Sequence, residues 1–377
     1  MCHGNWWRDG GPCGMLAFGA HLTVIRVMRR VTLADIAKKV GYSKNTVSLA
    51  LRGDRQIPAD TRDRIRHAAE ELGYQPNAVV SHLMAQLRAS QSPRFRAQLA
   101  LVNANRDEKA FRTHPTIPTY VEGCERRATR LGYGFDRFWL HDPSMRAETW
   151  IRVLRTRNIS GIILVGLMDQ NRLPSHLRPV WEAFPTVVTG VRTREPALSF
   201  SSVDHHNLVT TAFENATALG YTRPALVMDD VIDRLVDRRF SAAFLAAQES
   251  LAANRRIPVF RQVNEAWQNP KVFHSWLNRY KPDVLFSLYN AVFDWLKLRG
   301  LRVPEDIGVI QLEWRASRPH IAGMNQHNDV TGEAAVDLVV SQIHNNEHGV
   351  PAFPRATLIG ATWMNGDTVL NAAASHL

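Results

Sequence analysis

From residue 32 onward, apolar side chains recur at helical spacing in short blocks. Leu33, Ile36, Ala37 and Val40 follow Thr32, a good N-cap, and Gly41 closes the block. Ser43 heads a second block, Lys44 to Leu51, with Val47, Ala50 and Leu51 on one face and Lys44, Asn45 and Ser48 elsewhere. Only Gly41, Tyr42 and Ser43 separate the two, and so tight a link with Gly in front predicts a helix-turn-helix. Pro58 and Asp60 open a third helix that runs through Ile65, Ala68, Ala69 and Leu72 to Gly73. Pro76 stops any continuation. Asn77 then caps a fourth short helix through Val79, Val80, Leu83, Met84 and Leu87, ahead of a Ser90-Gln91-Ser92-Pro93 linker.

Beyond Pro93 the pattern becomes short apolar runs alternating with amphipathic stretches, which predicts parallel strands joined by helical crossovers. Leu99 to Val102, Phe135 to Leu140, Gly161 to Val165 and Thr186 to Thr189 read as buried strands, with helices at Tyr120 to Leu131 and Arg146 to Arg157. A second set has strands at Pro224 to Met228, Val284 to Leu288 and Gly308 to Leu312, and helices at Leu208 to Leu219, Arg238 to Ala253 and Val292 to Arg299. The expected fold is thus a helical helix-turn-helix headpiece followed by a bilobed α/β body with two parallel-sheet subdomains. Its divisions are residues 28–75 for the headpiece, 76–93 for a hinge helix and linker, and 94–370 for the body.

Charge sharpens the picture. The chain has 377 residues, a net charge of +11 and a pI near 10.0, a balance that favours a polyanionic partner. Between Arg29 and Arg66 stand ten basic side chains against four acidic ones, so the excess is concentrated on the helix-turn-helix. Three scattered cysteines, Cys2, Cys13 and Cys124, make no disulfide framework and suit a reducing cytoplasm. No apolar run has the roughly 18 residues a membrane helix needs, so no membrane partner is expected. Residues 1–27 lack caps and periodicity and read as a disordered extension or a start assigned too early, with Met28 an alternative start; a weak secretory signal is the remaining reading.

The stretch VTLADIAKKVGYSKNTVSLALRG, Val31 to Gly53, followed by TRDRIRHAAEELGYQPN, Thr61 to Asn77, closely resembles the headpiece of the lactose-repressor (LacI/GalR) family. It carries that family's T-x-x-D-[IV]-A, S-x-x-T-V-S and L-G-Y-x-P-N elements in order. The resemblance implies a transcription regulator on double-stranded operator DNA, with the second helix in the major groove. Thr32 falls within the first of those elements. Lys44 and Asn45 match the main base-reading positions, Lys suiting guanine O6 or N7 and Asn suiting adenine N6 and N7. Ser43, Thr46 and Ser48 match positions at the backbone or close to bases, and for Ser43 simple helix capping is the other reading; both roles can hold together. Leu49 stands where several relatives have Arg or His. In the hinge helix Leu83 matches a leucine that wedges between central base pairs, Asn77 and Ser81 match backbone contacts, and Ala78 replaces a residue that is often basic. Paired hinge helices at one operator imply a homodimer and a near-palindromic target.

The body resembles the same family and the periplasmic sugar-binding proteins, through SSVDHHNLVTTAFENATALGYTRPALV (Ser201 to Val227) and LRGLRVPEDIGVIQLEW (Leu298 to Trp314). That implies a small-molecule effector, often a sugar, held between two lobes and needing no cofactor. Arg239 matches an effector-binding arginine, although a surface helix arginine is the other reading. Asn290 and Glu313 stand at ligand positions that are usually acidic, and Trp267 offers either a stacking surface for a sugar ring or ordinary packing. His205 and His206 are adjacent on a helix and face different ways, so no metal is expected. No P-loop, G-x-S-x-G turn or dinucleotide fingerprint supports catalytic residues; an enzyme or a pure binding protein on the same bilobed fold is the alternative.

Overall fold

The computed structural model describes residues 31–51, 56–74 and 97–370. The fold forms two compact units divided between Asn77 and Ala78. The expected extension 1–27, the fourth helix, its linker, and with them Asn77, Ser81 and Leu83, lie outside the described residues.

The first unit contains α1 (Leu33–Val40), α2 (Lys44–Leu51) and α3 (Ala59–Glu71) around a small core of Ile36, Val47, Ala50, Ile65 and Ala69. A capping box starts α1: the Thr32 hydroxyl and backbone N–H lie 2.7 and 2.8 Å from Asp35 Oδ2, and Asp35 N–H donates back to Thr32 Oγ1. Gly41 ends α1 in the left-handed region, φ +76°, where other residues pay a steric cost, and this turns the chain sharply into α2. Lys39 pairs with Glu71 and ties the end of α1 to the end of α3.

In chain order the second unit contains β1 (Ala97–Asn103), α4 (Ala110–Thr113), α5 (Ile117–Leu131), β2 (Tyr133–Trp139), α6 (Ala147–Thr156), β3 (Ile159–Val165), α7 (Arg178–Ala183), β4 (Thr186–Thr189) and β5 (Ser199–Val203). Then come α8 (His205–Ala218), β6 (Pro224–Val227), α9 (Asp230–Leu235), α10 (Arg239–Ala247), α11 (Val263–Gln268), α12 (Lys271–Tyr280), β7 (Val284–Ser287), α13 (Ala291–Arg299) and β8 (Gly308–Gln311). The last elements are β9 (Gly323–Asn325), α14 (Asn328–His344), β10 (Ala356–Ile359) and β11 (Thr362–Met364).

These elements make two sheets, β10-β5-β4-β3-β1-β2 in lobe one and β11-β9-β8-β7-β6 in lobe two. Every neighbour is parallel except β11, which runs antiparallel to β9 and so departs from the all-parallel expectation. The lobes are not sequential halves either. The chain crosses between them three times, at β5 to α8, β9 to α14 and β10 to β11, because α14 packs on β3, β4 and β5 of lobe one while α8 packs with α10 in lobe two. Lobe one is therefore completed by residues more than two hundred positions downstream of its start.

The α5–α14 contact is unusually close. An added Cβ on Gly123 would stand 1.9 Å from the Asp329 carbonyl oxygen, and one on Gly332 would stand 2.2 Å from that of Tyr120. Cys124, fully buried between them, donates its thiol to the Gly332 carbonyl at 3.3 Å, and burial pushes its pKa up. Arg126 clamps the same pair of helices by reaching Asp329 and Glu333.

A helix-turn-helix surface and an interlobe cleft

At the start of α2, Ser43 Oγ accepts from the Thr46 backbone N–H at 3.0 Å and lies 2.8 Å from Thr46 Oγ1. The serine is thus a genuine N-cap, and it leaves the next two residues on the outside of the first turn. Lys44 and Asn45 are exposed there, while Val47 and Ala50 on the opposite face are buried in the three-helix core. Thr46, Ser48 and Leu49 are half-buried. Thr32 is exposed and its hydroxyl is engaged in the capping box of α1. The result is a short helix whose positive N-terminal end displays a cation and an amide with no packing duty.

In the body, the carboxyl ends of the strands of the two sheets face a cleft, the usual position for ligands in open α/β sheets. Two of the sequence-predicted effector residues meet there: Asn290, at the N-cap of α13, and Glu313, after β8, line one small cavity with Gln311, Trp314 and Arg315. Its volume is about 10 Å³, room for one water at most. The cleft is held shut by Arg315. Its guanidinium donates to the Pro115 carbonyl at 2.9 Å and Thr116 Oγ1 at 3.2 Å in lobe one, and pairs with Glu313 at 3.0 Å. Glu313 also accepts from Asn328 Nδ2 at 3.3 Å. Beside this group, burial lowers the His114 pKa and raises that of the fully buried Tyr120, the Glu313 charge adding to the rise at Tyr120.

Arg239 stands apart from that cavity, at the head of α10, where it bridges the lobes differently. Its guanidinium lies over the Phe200 ring of β5, 6.0 Å from the centroid, and its charge helps to depress His205. His205 is only 6% exposed, packs edge-on against Phe240 with centroids 4.6 Å apart, and has no hydrogen-bond partner for Nδ1. Burial first, and Arg239 second, push its pKa down to about 3. Its neighbour His206 is exposed. Trp267 does not join the cleft residues: it is 57% exposed on α11 and packs edge-on against Trp295.

Several residues of the cleft were not read from sequence. Arg315 looks like any loop arginine, and its bridging role depends on Pro115 and Thr116, some two hundred positions earlier. Tyr289 donates to Asp229, whose other oxygen caps α9 through Val231 N–H at 2.7 Å and Ile232 N–H at 2.9 Å. On the second flank of the cleft, Arg194 of lobe one pairs with Asp237 of lobe two at 2.7 Å. Next to that pair lies a larger cavity of about 520 Å³ between the Asp169–Arg172 loop and α9.

The headpiece matches the family model for bacterial regulatory proteins, lacI family, over residues 32–77, and the body matches the periplasmic binding protein-like domain over residues 213–369. The chain belongs to the lacI family. Among this regulator's curated relatives, the HTH-type transcriptional regulator PtxS of Pseudomonas plecoglossicida is 25% identical over 340 residues, covering 86% of this chain and 93% of that protein. The ribose operon repressor of Escherichia coli K12 is 24% identical over 326 residues, covering 83% and 93%. Among solved structures, a complex of the transcriptional regulator CelR with cellobiose shares the fold with a TM-score of 0.52 at 21% identity, over 90% of this chain and all of that one. The lac repressor dimer bound to operator and the anti-inducer ONPF aligns with a TM-score of 0.52 at 19% identity, over 91% and 100%.

Proposed function

We propose that this lacI-family regulator is a cytoplasmic, homodimeric repressor, not an enzyme, that binds a near-palindromic operator and responds to a small hydroxylated effector between its lobes. The observation that carries the reading is the exposed Lys44–Asn45 pair on the first turn of a helix whose other face is locked into a capped three-helix core. Side chains so placed reach base edges while Ser43, Thr46, Ser48 and Thr32 lie towards the DNA backbone. Asn77, Ser81 and Leu83 are assigned to the hinge contacts by their match to the family's positions. Effector contacts are assigned to Arg239, Asn290 and Glu313.

In this mechanism the effector works by favouring one lobe arrangement over another. A cavity of about 10 Å³ admits no sugar, so an effector that reaches Glu313 has to part Arg315 from Pro115 and Thr116. That gives the ligand a differential interaction with the open and closed lobes. Selection of the full chain against random duplex DNA at physiological salt tests the reading. Enrichment of a palindrome with a central pyrimidine-purine step supports it. Uniform, salt-sensitive retention of all sequences would overturn it.

A further inference from the structure

Resting on the interlobe effector reading, we propose that the effector of this regulator is an anion, a small polyhydroxylated carboxylic acid, and not a neutral sugar. The argument starts from which charges in the cleft are already spent. Glu313 is committed to Arg315 and Asn328, Asp229 to the α9 amides and Tyr289, Asp204 to the Asn207 N–H at 3.1 Å, and Asp237 to Arg194. A neutral sugar is held chiefly by acceptors strong enough to take its hydroxyl protons, and these carboxylates are occupied. Arg239, in contrast, has no side-chain hydrogen bond or ion pair among the described residues; its contact is the Phe200 ring. A half-buried guanidinium with five donors and no acceptor is a carboxylate site.

The approach to it carries the same sign. The cavity of about 520 Å³ between the lobes is lined by Arg172, Arg194, Arg234 and Arg238 against Asp169 and Asp237, and a cleft lined by one sign of charge concentrates ligands of the other. The rest of the ligand is specified by buried atoms that lack partners. Gln311 Oε1 and Asn328 Oδ1 are acceptors, Thr189 Oγ1 is a donor and acceptor, and His205 Nδ1 lies beside Arg239 with nothing to bind. Neutral His205 suits a hydroxyl proton. An acid with hydroxyls along its chain offers both the anion that Arg239 lacks and the donors these atoms lack, each worth satisfying in a buried setting.

Matched pairs test the class. The full-length protein is titrated with D-glucose and D-gluconate, D-ribose and D-ribonate, and cellobiose and cellobionate, reading thermal midpoint and tryptophan fluorescence, with operator retention measured in parallel. An acid that binds at least tenfold more tightly than its neutral partner is the expected result. Arg239→Gln should weaken that acid about 10- to 100-fold, the worth of a charge-assisted pair, and Arg239→Lys should recover part of it. If a neutral sugar binds better than its acid, with Arg239→Gln indifferent, the anion assignment falls and the cleft reading survives. A flat response to all six compounds, while the protein retains operator DNA, removes both.

Discussion

Replacing His205 should change how the protein's stability depends on pH. The imidazole is buried against Phe240 beside Arg239, and its folded pKa is about 3 against an ordinary 6.5. In the unfolded chain it takes up a proton near pH 6.5, whereas the folded protein refuses that proton until about pH 3. Stability from this group is therefore complete above pH 6.5 and is lost as pH falls through the interval between the two values. The slope is about 1.4 kcal/mol per pH unit, so roughly 2 kcal/mol disappears between pH 6.5 and pH 5. His205→Gln removes that slope while imposing a packing cost that does not vary with pH. Urea midpoints followed by tryptophan fluorescence report the body, since residues 31–74 contain no tryptophan. Other titrating groups, including His114, are common to both proteins and cancel in the difference. Wild type and variant should converge as pH falls from 7.5 to 5. Parallel curves would refute the claim that the folded imidazole stays neutral.

Four further outcomes follow from the geometry. Gly332→Ala should cost about 1–3 kcal/mol in body stability by calorimetry, because its Cβ meets a backbone carbonyl that cannot step aside, whereas Gly220→Ala has open space but a left-handed φ of +92° and should cost about 1 kcal/mol. Arg315→Ala should release the interlobe bridge and speed hydrogen exchange at residues 115–118; unchanged exchange there would show that the bridge does not hold the cleft. Thr32→Ala should lower headpiece stability by about 1 kcal/mol, seen as an earlier helical melting transition. Lys44→Ala should relax sequence preference at one operator position, an effect that a loss shared equally by all sequences would contradict.

The headpiece was legible because its signals are local. Thr32, Gly41 and Ser43 each cap or turn the chain through bonds to residues three or four away, and their roles survive translation from pattern to structure. The buried strands β1, β3 and β4 were equally plain as apolar runs. Strand β5 was not, because its inner face is polar: Ser201 Oγ donates to the Thr331 carbonyl and Ser202 Oγ to that of Gly190, so a buried strand reads as a hydrophilic loop. The expected helix Arg238 to Ala253 is too long. It stops at Ala247, where the Gln248 amide turns to bond the Ile257 backbone in both directions and pulls the chain into a tight turn. Helix α14 carried a usable signal in Val336, Val339, Val340 and Ile343, but its assignment to lobe one depends on Gly123 and Gly332 meeting across the chain, which no local pattern records. Of the cleft, Asn290 and Glu313 could be paired in advance, and Arg315 could not.

The threefold crossing of the chain also bears on how the body is made. A ribosome that has produced everything from β1 to β5 has not yet supplied α14, which covers that sheet, or β10, which borders it. The apolar sheet face that carries Leu101, Ile163 and Val187 therefore waits uncovered until Val336, Val339 and Val340 have emerged, and the sheet edge at β5 waits until residue 359. The headpiece, closed by contacts within residues 31–74, can fold at once.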